Sequence, residues 1–451
     1  GCGMVELSVM LGMSFALFCL LLVLAHSVRV RQVTLLDWSL LGIGGMYGLG
    51  WIIVLLVTQN GGNPTWQDWI NPFSDIYVIH TIAAFLLVAG MMTGWYLPCR
   101  LLPRTRKVVS QRYSEAGPWV TAFWIMLLLA VVIQGLYSRA YGGYLGVLDY
   151  SAPIRSALYE NVPHNPWSFL RPFGGLAMIA AYGFFGLSIS GRRTAGVLLG
   201  LSLSFLFSVY ILYSWLGRVG FVVFLLTFIL GVVLSRRPGP LRLIAWAGLA
   251  FVGLLMSVYA ISLWLDLKAA DSLIEFLARE LSFPFASFFA QFEHGEHLYR
   301  GFVDFVLAPV FLLPSSWWSA WYEPVDQINT AIIMGAPKGE AGVTGSIPVD
   351  LLTLGLMQAH VLGVFLVGLI FALLLRILQV FLSAIPMQGL RAVFEAHLAL
   401  KVAILGTFYA QPNLVISDNF ALIVGSVIIA TILSLKRMTL KPRTSLSGGT
   451  P

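Results

Sequence analysis

Residues 266–350 read DLKAADSLIEFLARELSFPFASFFAQFEHGEHLYRGFVDFVLAPVFLLPSSWWSAWYEPVDQINTAIIMGAPKGEAGVTGSIPVD. This long segment is too polar to sit in lipid and too featured to be a linker. Leu273, Phe276, Leu277 and Leu281 recur at three- and four-residue spacing, with Glu275 and Arg279 on another face, which predicts a helix. A cluster of ionisable residues follows, then a tryptophan-rich run, then a glycine-rich loop. The sequence on either side is mostly apolar runs.

Those runs decide the fold class. The chain has 451 residues, 58% of them hydrophobic and 10% charged, and its mean hydropathy is +0.86. Soluble domains carry about a quarter charged residues, so the composition is that of a polytopic membrane protein. Spans of roughly 20 apolar residues are expected at 7–28, 34–57, 76–97, 119–137 and 169–190. Two more flank the Gly217–Gly220 turn, and the rest fall at 243–264, 351–375, 397–410 and beyond 419. The expectation is an all-α integral membrane domain over 1–451, with about 11 transmembrane helices.

Basic residues orient the bundle. They cluster after every second span: Arg29 and Arg31, then Arg104, Arg106 and Lys107, then Arg192 and Arg193, Arg236 and Arg237, Arg376 and Arg391, and finally Lys436 and Arg437. The positive-inside rule then puts the N-terminus outside, together with the loop 138–168 and the large, partly helical loop 265–350. The net charge of +7 belongs to these clusters and to anionic headgroups, not to a nucleic-acid partner. Cys2, Cys19 and Cys99 suggest neither a disulfide nor a metal site. No Walker loop, dinucleotide glycine fingerprint or CxxC is present. Energetically demanding work would draw on a substrate or an ion gradient.

The external side should be poor in cations, yet Arg139, Arg155, Arg171, Arg218, Arg279, Arg300 and Lys338 fall there. Arg218 sits between two apolar spans, flanked by Gly217 and Gly220. A cation at that boundary needs a partner, and the guanidinium fork suits phosphate oxygens. A snorkelling arginine, or a pair with Asp418, is the structural alternative. Arg171 and Arg139 have interfacial anchoring as their alternative, and Arg155 a salt bridge with Glu160. In FEHGEHLYRG, a metal would need three or four converging ligands; Gly295 interrupts the helix and no HExxH order is present. Glu293, Glu296 and His297 are instead candidates for a general base, or members of a solvated turn. Trp317, Trp318, Trp321 and Tyr322 suit both a bilayer interface and stacking on sugar rings.

Taken together, the late external segment, the earlier external loop, the Gly217-Arg218-x-Gly220 turn and the IPVDLLTLG run with Pro348, Asp350 and Gly355 resemble the Wzy-type O-antigen, or oligosaccharide repeat-unit, polymerases. The family's arginine-x10-glycine loop motif is not found at Arg155, Arg171, Arg279 or Arg300. The resemblance implies a GT-C-like membrane glycosyltransferase in the bacterial inner membrane, working on the periplasmic face. It would join polyprenyl-diphosphate-linked donor and acceptor oligosaccharides by inverting transfer with no cofactor and no metal, and could work with a chain-length regulator protein. On that basis the catalytic candidates are Arg218, Arg300, Asp350, Glu293, Glu296 and His297. The substrate-binding candidates are Arg139, Arg155, Arg171, Arg279, Trp317, Trp318, Tyr322 and Asn329. An O-antigen ligase and a transporter or flippase for lipid-linked sugars are the alternatives.

Overall fold

An apolar run can enter hydrocarbon only as a helix, or in a closed barrel, because each backbone N–H and C=O must find a partner within protein. The computed structural model describes residues 2–62, 69–71, 74–98, 116–157, 159–264, 273–294 and 299–439, and among them every regular element is helical. The first seven helices are α1 (Gly3–Val30), α2 (Leu35–Gln59), α3 (Ile76–Tyr96), α4 (Ala116–Tyr141), α5 (Ser168–Ile189), α6 (Ala195–Trp215) and α7 (Arg218–Ser235). After them come α8 (Pro240–Trp264), α9 (Leu273–Leu281), α10 (Phe283–His294), α11 (Val325–Met334) and α12 (Leu351–Ser383). The chain closes with α13 (Gln388–Leu398), α14 (Pro412–Asp418) and α15 (Phe420–Thr439).

Among the described residues, α1 to α7 and α12 make eight helices long and apolar enough to cross a membrane. The pair α14–α15, bent by 54°, brings the number to nine. This is the all-α polytopic architecture that composition implied. The other two expected spans fall on α8, which is 25 residues long, and on the helical run from α13 through a π-helical turn at Ala399–Ile404 to Leu405–Phe408. That run starts earlier than the expected 397, so Arg391 and Glu395 lie within a helix rather than in a connector.

Sequence chemistry fixes several joints. Thr34 and Asp37 form a capping box at the start of α2, and His26 Nδ1 lies 2.8 Å from Asp37 Oδ1, which staples α1 to it. The spacing read at Leu273–Leu281 is the helix α9, with Phe276 and Leu281 buried and Arg279 paired to Glu275 at 2.7 Å on another face. Helices α3 and α12 run in contact; a Cβ on Gly90 would lie 2.1 Å from the Phe365 carbonyl oxygen.

The first limb of α12 folds back on the second. The backbone leaves helical geometry at Ala359 (φ −158°, ψ 41°) and His360 (φ 54°, ψ −143°). A Cβ on Gly355 would lie 2.5 Å from Val364 Cα, whereas residues nine apart in an unbroken helix are about 13 Å apart. Gly355 and Gly363 meet backbone to backbone at this crossing. Helix ends carry unpaired carbonyls. Here those of Met357 and Gln358 accept from the Arg300 and Gly301 N–H groups at 3.0 and 2.9 Å. The expected ninth span, 351–375, is therefore interrupted, and the long segment is anchored at the interruption.

Candidate functional site: a cationic cavity at the start of α7

Helix α6 ends at Leu216 in a left-handed conformation (φ 52°), Gly217 caps α7, and Arg218 is its first residue. This tight turn forms one wall of a cavity of about 590 Å³. Arg171, from the 3-10 entry to α5 (Ser168–Gly175), and Arg155, from a short helix Ser151–Ser156, supply two more cations to its lining. Three arginines singled out in the sequence thus converge, although 63 positions separate Arg155 from Arg218.

Arg155 is held by a hydrogen bond from its guanidinium to the Leu216 carbonyl, which places it against the α6–α7 turn. Lys338, from the long segment, donates from Nζ to the Arg155 carbonyl at 2.6 Å. The cations sense one another. Partial desolvation, then Arg218 and Arg171, lower the Arg155 guanidinium below its ordinary range. Burial, then Arg155 and Arg171, lower the Lys338 ammonium, with Asp326 opposing. Like charges in a partly dry site raise the free energy of the empty cavity, and a bound anion reverses the sign of that term.

Lys401 also lines the cavity, as do two carboxylates, Glu280 and Asp418. Lys401 Nζ donates to Asp418 Oδ2 at 3.0 Å, the same carboxylate that the sequence offers to Arg218. Sequence reading missed Lys401 and Glu280. The signal for Lys401 was present: a lone lysine inside an apolar run is costly and seldom idle. Met178, Ile179, Phe371 and Leu422 make part of the remaining wall apolar. The chamber can therefore take a ligand with an anionic head and a hydrocarbon body.

The other candidates lie elsewhere. Arg300 binds Asp304 through Nε at 2.6 Å and a terminal nitrogen at 2.8 Å, and donates to the Glu323 carbonyl at 2.8 Å. Asp304 is fully buried and also accepts from Tyr322 Oη at 2.9 Å and Gln358 Nε2 at 2.8 Å. Arg300 and Tyr322 therefore share a structural knot beside the α12 break. Asp350 is fully buried as the N-cap of α12, accepting from the Leu352 N–H at 3.2 Å and from Thr353 and Tyr47 hydroxyls. Asn329 is fully buried; it donates to Ser287 Oγ at 3.0 Å and accepts from Gln291 Nε2 at 2.9 Å, joining α10 to α11.

Arg139 is exposed at the start of the 3-10 turn that closes α4, and Glu293 is exposed near the end of α10. Arg279 is occupied with Glu275. Trp318 is buried against Phe311 and Tyr322 and donates to the Leu313 carbonyl at 3.1 Å, while Trp317 is exposed. Glu296 and His297 lie outside the described residues. Among the described residues, none of Arg139, Arg279, Glu293, Arg300, Trp317, Trp318, Tyr322, Asn329 and Asp350 lines the cavity. Among the described residues no three His, Cys, Asp or Glu side chains gather as a metal-binding group. Comparison with protein-family models, with curated proteins and with solved structures gave no match.

Proposed function

We propose that the chain is a membrane glycosyltransferase that joins polyprenyl-diphosphate-linked oligosaccharides, as the Wzy-type polymerases it resembles do, on the external face of a bacterial inner membrane. The observation that carries this reading is the convergence of Arg155, Arg171 and Arg218 on one cavity with a partly apolar wall.

The step would run as follows. A hydroxyl of the acceptor sugar attacks the anomeric carbon of the donor, forming a C–O bond. The bond from that carbon to the diphosphate oxygen breaks, with inversion. The hydroxyl proton passes to a carboxylate, and Glu280 in the cavity wall is the one we assign. The lipid diphosphate leaves with its charge on oxygens that face the guanidinium groups. Preorganised cations in a water-poor site stabilise that growing charge, and removing one donor typically costs about a hundredfold or more in rate. Arg218 and Arg171 hold the leaving group in this scheme, and Arg155 with Lys338 frames it.

The test is reconstitution of the purified protein with lipid-linked repeat units alone. A ladder of lengthened chains is expected, and Arg218→Ala should reduce it about a hundredfold. Translocation without lengthening would point to a flippase, and transfer only to a lipid A acceptor would point to a ligase. An unimpaired Arg218→Ala would remove the assignment of that residue.

A further inference from the structure

The far end of α7 lies about 27 Å from Arg218, given its 18 residues at 1.5 Å each. A second cavity, of about 770 Å³, opens there. Four guanidinium groups line it: Arg31 after α1, Arg237 after α7, Arg376 from α12 and Arg391 from α13. Glu395 is the carboxylate in the lining.

Backbone groups hold two of the four in place. Arg376 donates to the Leu97 carbonyl. Arg391 donates to the Ile385 carbonyl through Nε at 3.0 Å and a terminal nitrogen at 2.6 Å. A guanidinium has five N–H donors, so both retain donors for a ligand. The set is short of negative charge, as the first cavity is.

The rest of the wall differs from that of a simple anion pocket. Trp95, Leu243 and Val380 line it beside the arginines, and these belong to membrane-spanning helices or their ends. A free inorganic anion would gain nothing from hydrocarbon. A lipid headgroup would, because its acyl chains continue from the phosphate along that wall. Basic crevices between helix ends are a recurring way of holding acidic headgroups.

We propose that this second cavity binds the phosphodiester headgroup of an anionic phospholipid, with Arg31, Arg237, Arg376 and Arg391 around its phosphate oxygens. The site is separate from the transferase cavity and does not depend on the reaction assigned to it.

Native mass spectrometry of the delipidated full chain in mixed micelles tests this, with phosphatidylglycerol or phosphatidylcholine as the probe and inorganic phosphate as competitor. Retention of phosphatidylglycerol over phosphatidylcholine is expected. The double variant Arg237→Gln/Arg376→Gln should lose about tenfold or more of that binding, whereas Arg193→Gln, on the exposed turn after α5, should retain it. A diazirine-bearing phosphatidylglycerol cross-linked to the unmodified protein needs no variant, and its adducts should map to peptides around Trp95 and Val380. Equal retention of both lipids, full binding by the double variant, or adducts confined to other peptides would overturn the proposal. Displacement of phosphatidylglycerol by millimolar inorganic phosphate would overturn it too, marking a free-anion site instead.

Discussion

Lys338 Nζ and the carbonyl oxygen of Arg155 lie 2.6 Å apart across 183 positions of sequence. This bond ties the long segment before α12 to the short loop before α5, at the rim where the arginines meet. It also sets a further cation beside the cavity, close enough to feel Arg155 and Arg171, without using a side-chain acceptor. Replacing the lysine by glutamine would remove the charge and weaken the tie. Hydrogen bonds with a charged donor contribute about 1.5–3 kcal/mol, and part of that should appear as looser donor binding. We expect Lys338→Gln to raise the donor concentration needed for half-maximal chain extension by about tenfold, with Lys338→Arg close to the native protein. An unchanged dependence on donor concentration in Lys338→Gln would show that the rim cation takes no part in binding.

The same lysine gives the stability a pH dependence whose sign can be stated. In the folded protein its ammonium is held below the ordinary 10.5, by burial first and then by Arg155 and Arg171. Between the lowered value and 10.5 the unfolded chain carries more protons than the folded one, so stability rises with pH across that window. Below the window the repulsion is present in full. Thermal unfolding midpoints of the detergent-solubilised protein, taken in steps up to about pH 10, should climb on the alkaline side, and Lys338→Gln should flatten the climb. Anion affinity should move the other way, weakening as the ammonium loses its proton. A midpoint that falls over this range in the native protein and not in the variant would contradict the assignment.

The sequence carried the spans and part of the site for separate reasons. Lipid imposes a length and a composition on every crossing, so α1 to α7 could be read from apolar runs alone. Arg155, Arg171 and Arg218 could be picked out because cations are scarce on the side where the alternation of basic clusters places them. What could not be read depends on tertiary partners. Arg279 and Glu280 are adjacent, yet one pairs along its own helix and the other lines the cavity, a difference set by which face α9 buries. Arg300 looked like a phosphate ligand until Asp304, four residues on, proved to be fully buried against it. The reversal at Ala359–His360 carries no glycine or proline to announce it; only Gly355 and Gly363 on either side mark the crossing.

The Arg300–Asp304 pair offers a way to separate structural from catalytic loss. Asp304 is fully buried and accepts from Arg300, Tyr322 and Gln358. Removing one partner of a buried pair leaves an uncompensated charge, at about 3–5 kcal/mol. Arg300→Met should therefore lower thermal stability by that order. The double variant Arg300→Met/Asp304→Asn should recover a large part of it, since the residual carboxylate is gone. Activity should follow stability in both. If Arg300→Met melted like the native protein and still lost chain extension, the arginine would belong with the reacting groups and not with the scaffold.

His360 tests the reversal itself. Its backbone lies at φ 54° and ψ −143°, a region that suits glycine and costs other residues on the order of 1–3 kcal/mol. The imidazole has neighbours that offset this in part: its ring centroid is 6.1 Å from Tyr299 and 6.2 Å from Phe292. Glycine would relieve the backbone and forfeit those contacts. Aromatic pairs contribute about 0.5–1.5 kcal/mol each beyond burial, so the two contacts together about match the backbone term at the middle of the ranges. His360→Gly is expected to leave the unfolding midpoint near the native value, while His360→Ala, which loses the ring and keeps the strain, should lower it. The difference between the two variants isolates the backbone, because both lack the imidazole. Equal midpoints for glycine and alanine would mean that the chain does not turn back at this residue, and that Gly355 and Gly363 do not meet.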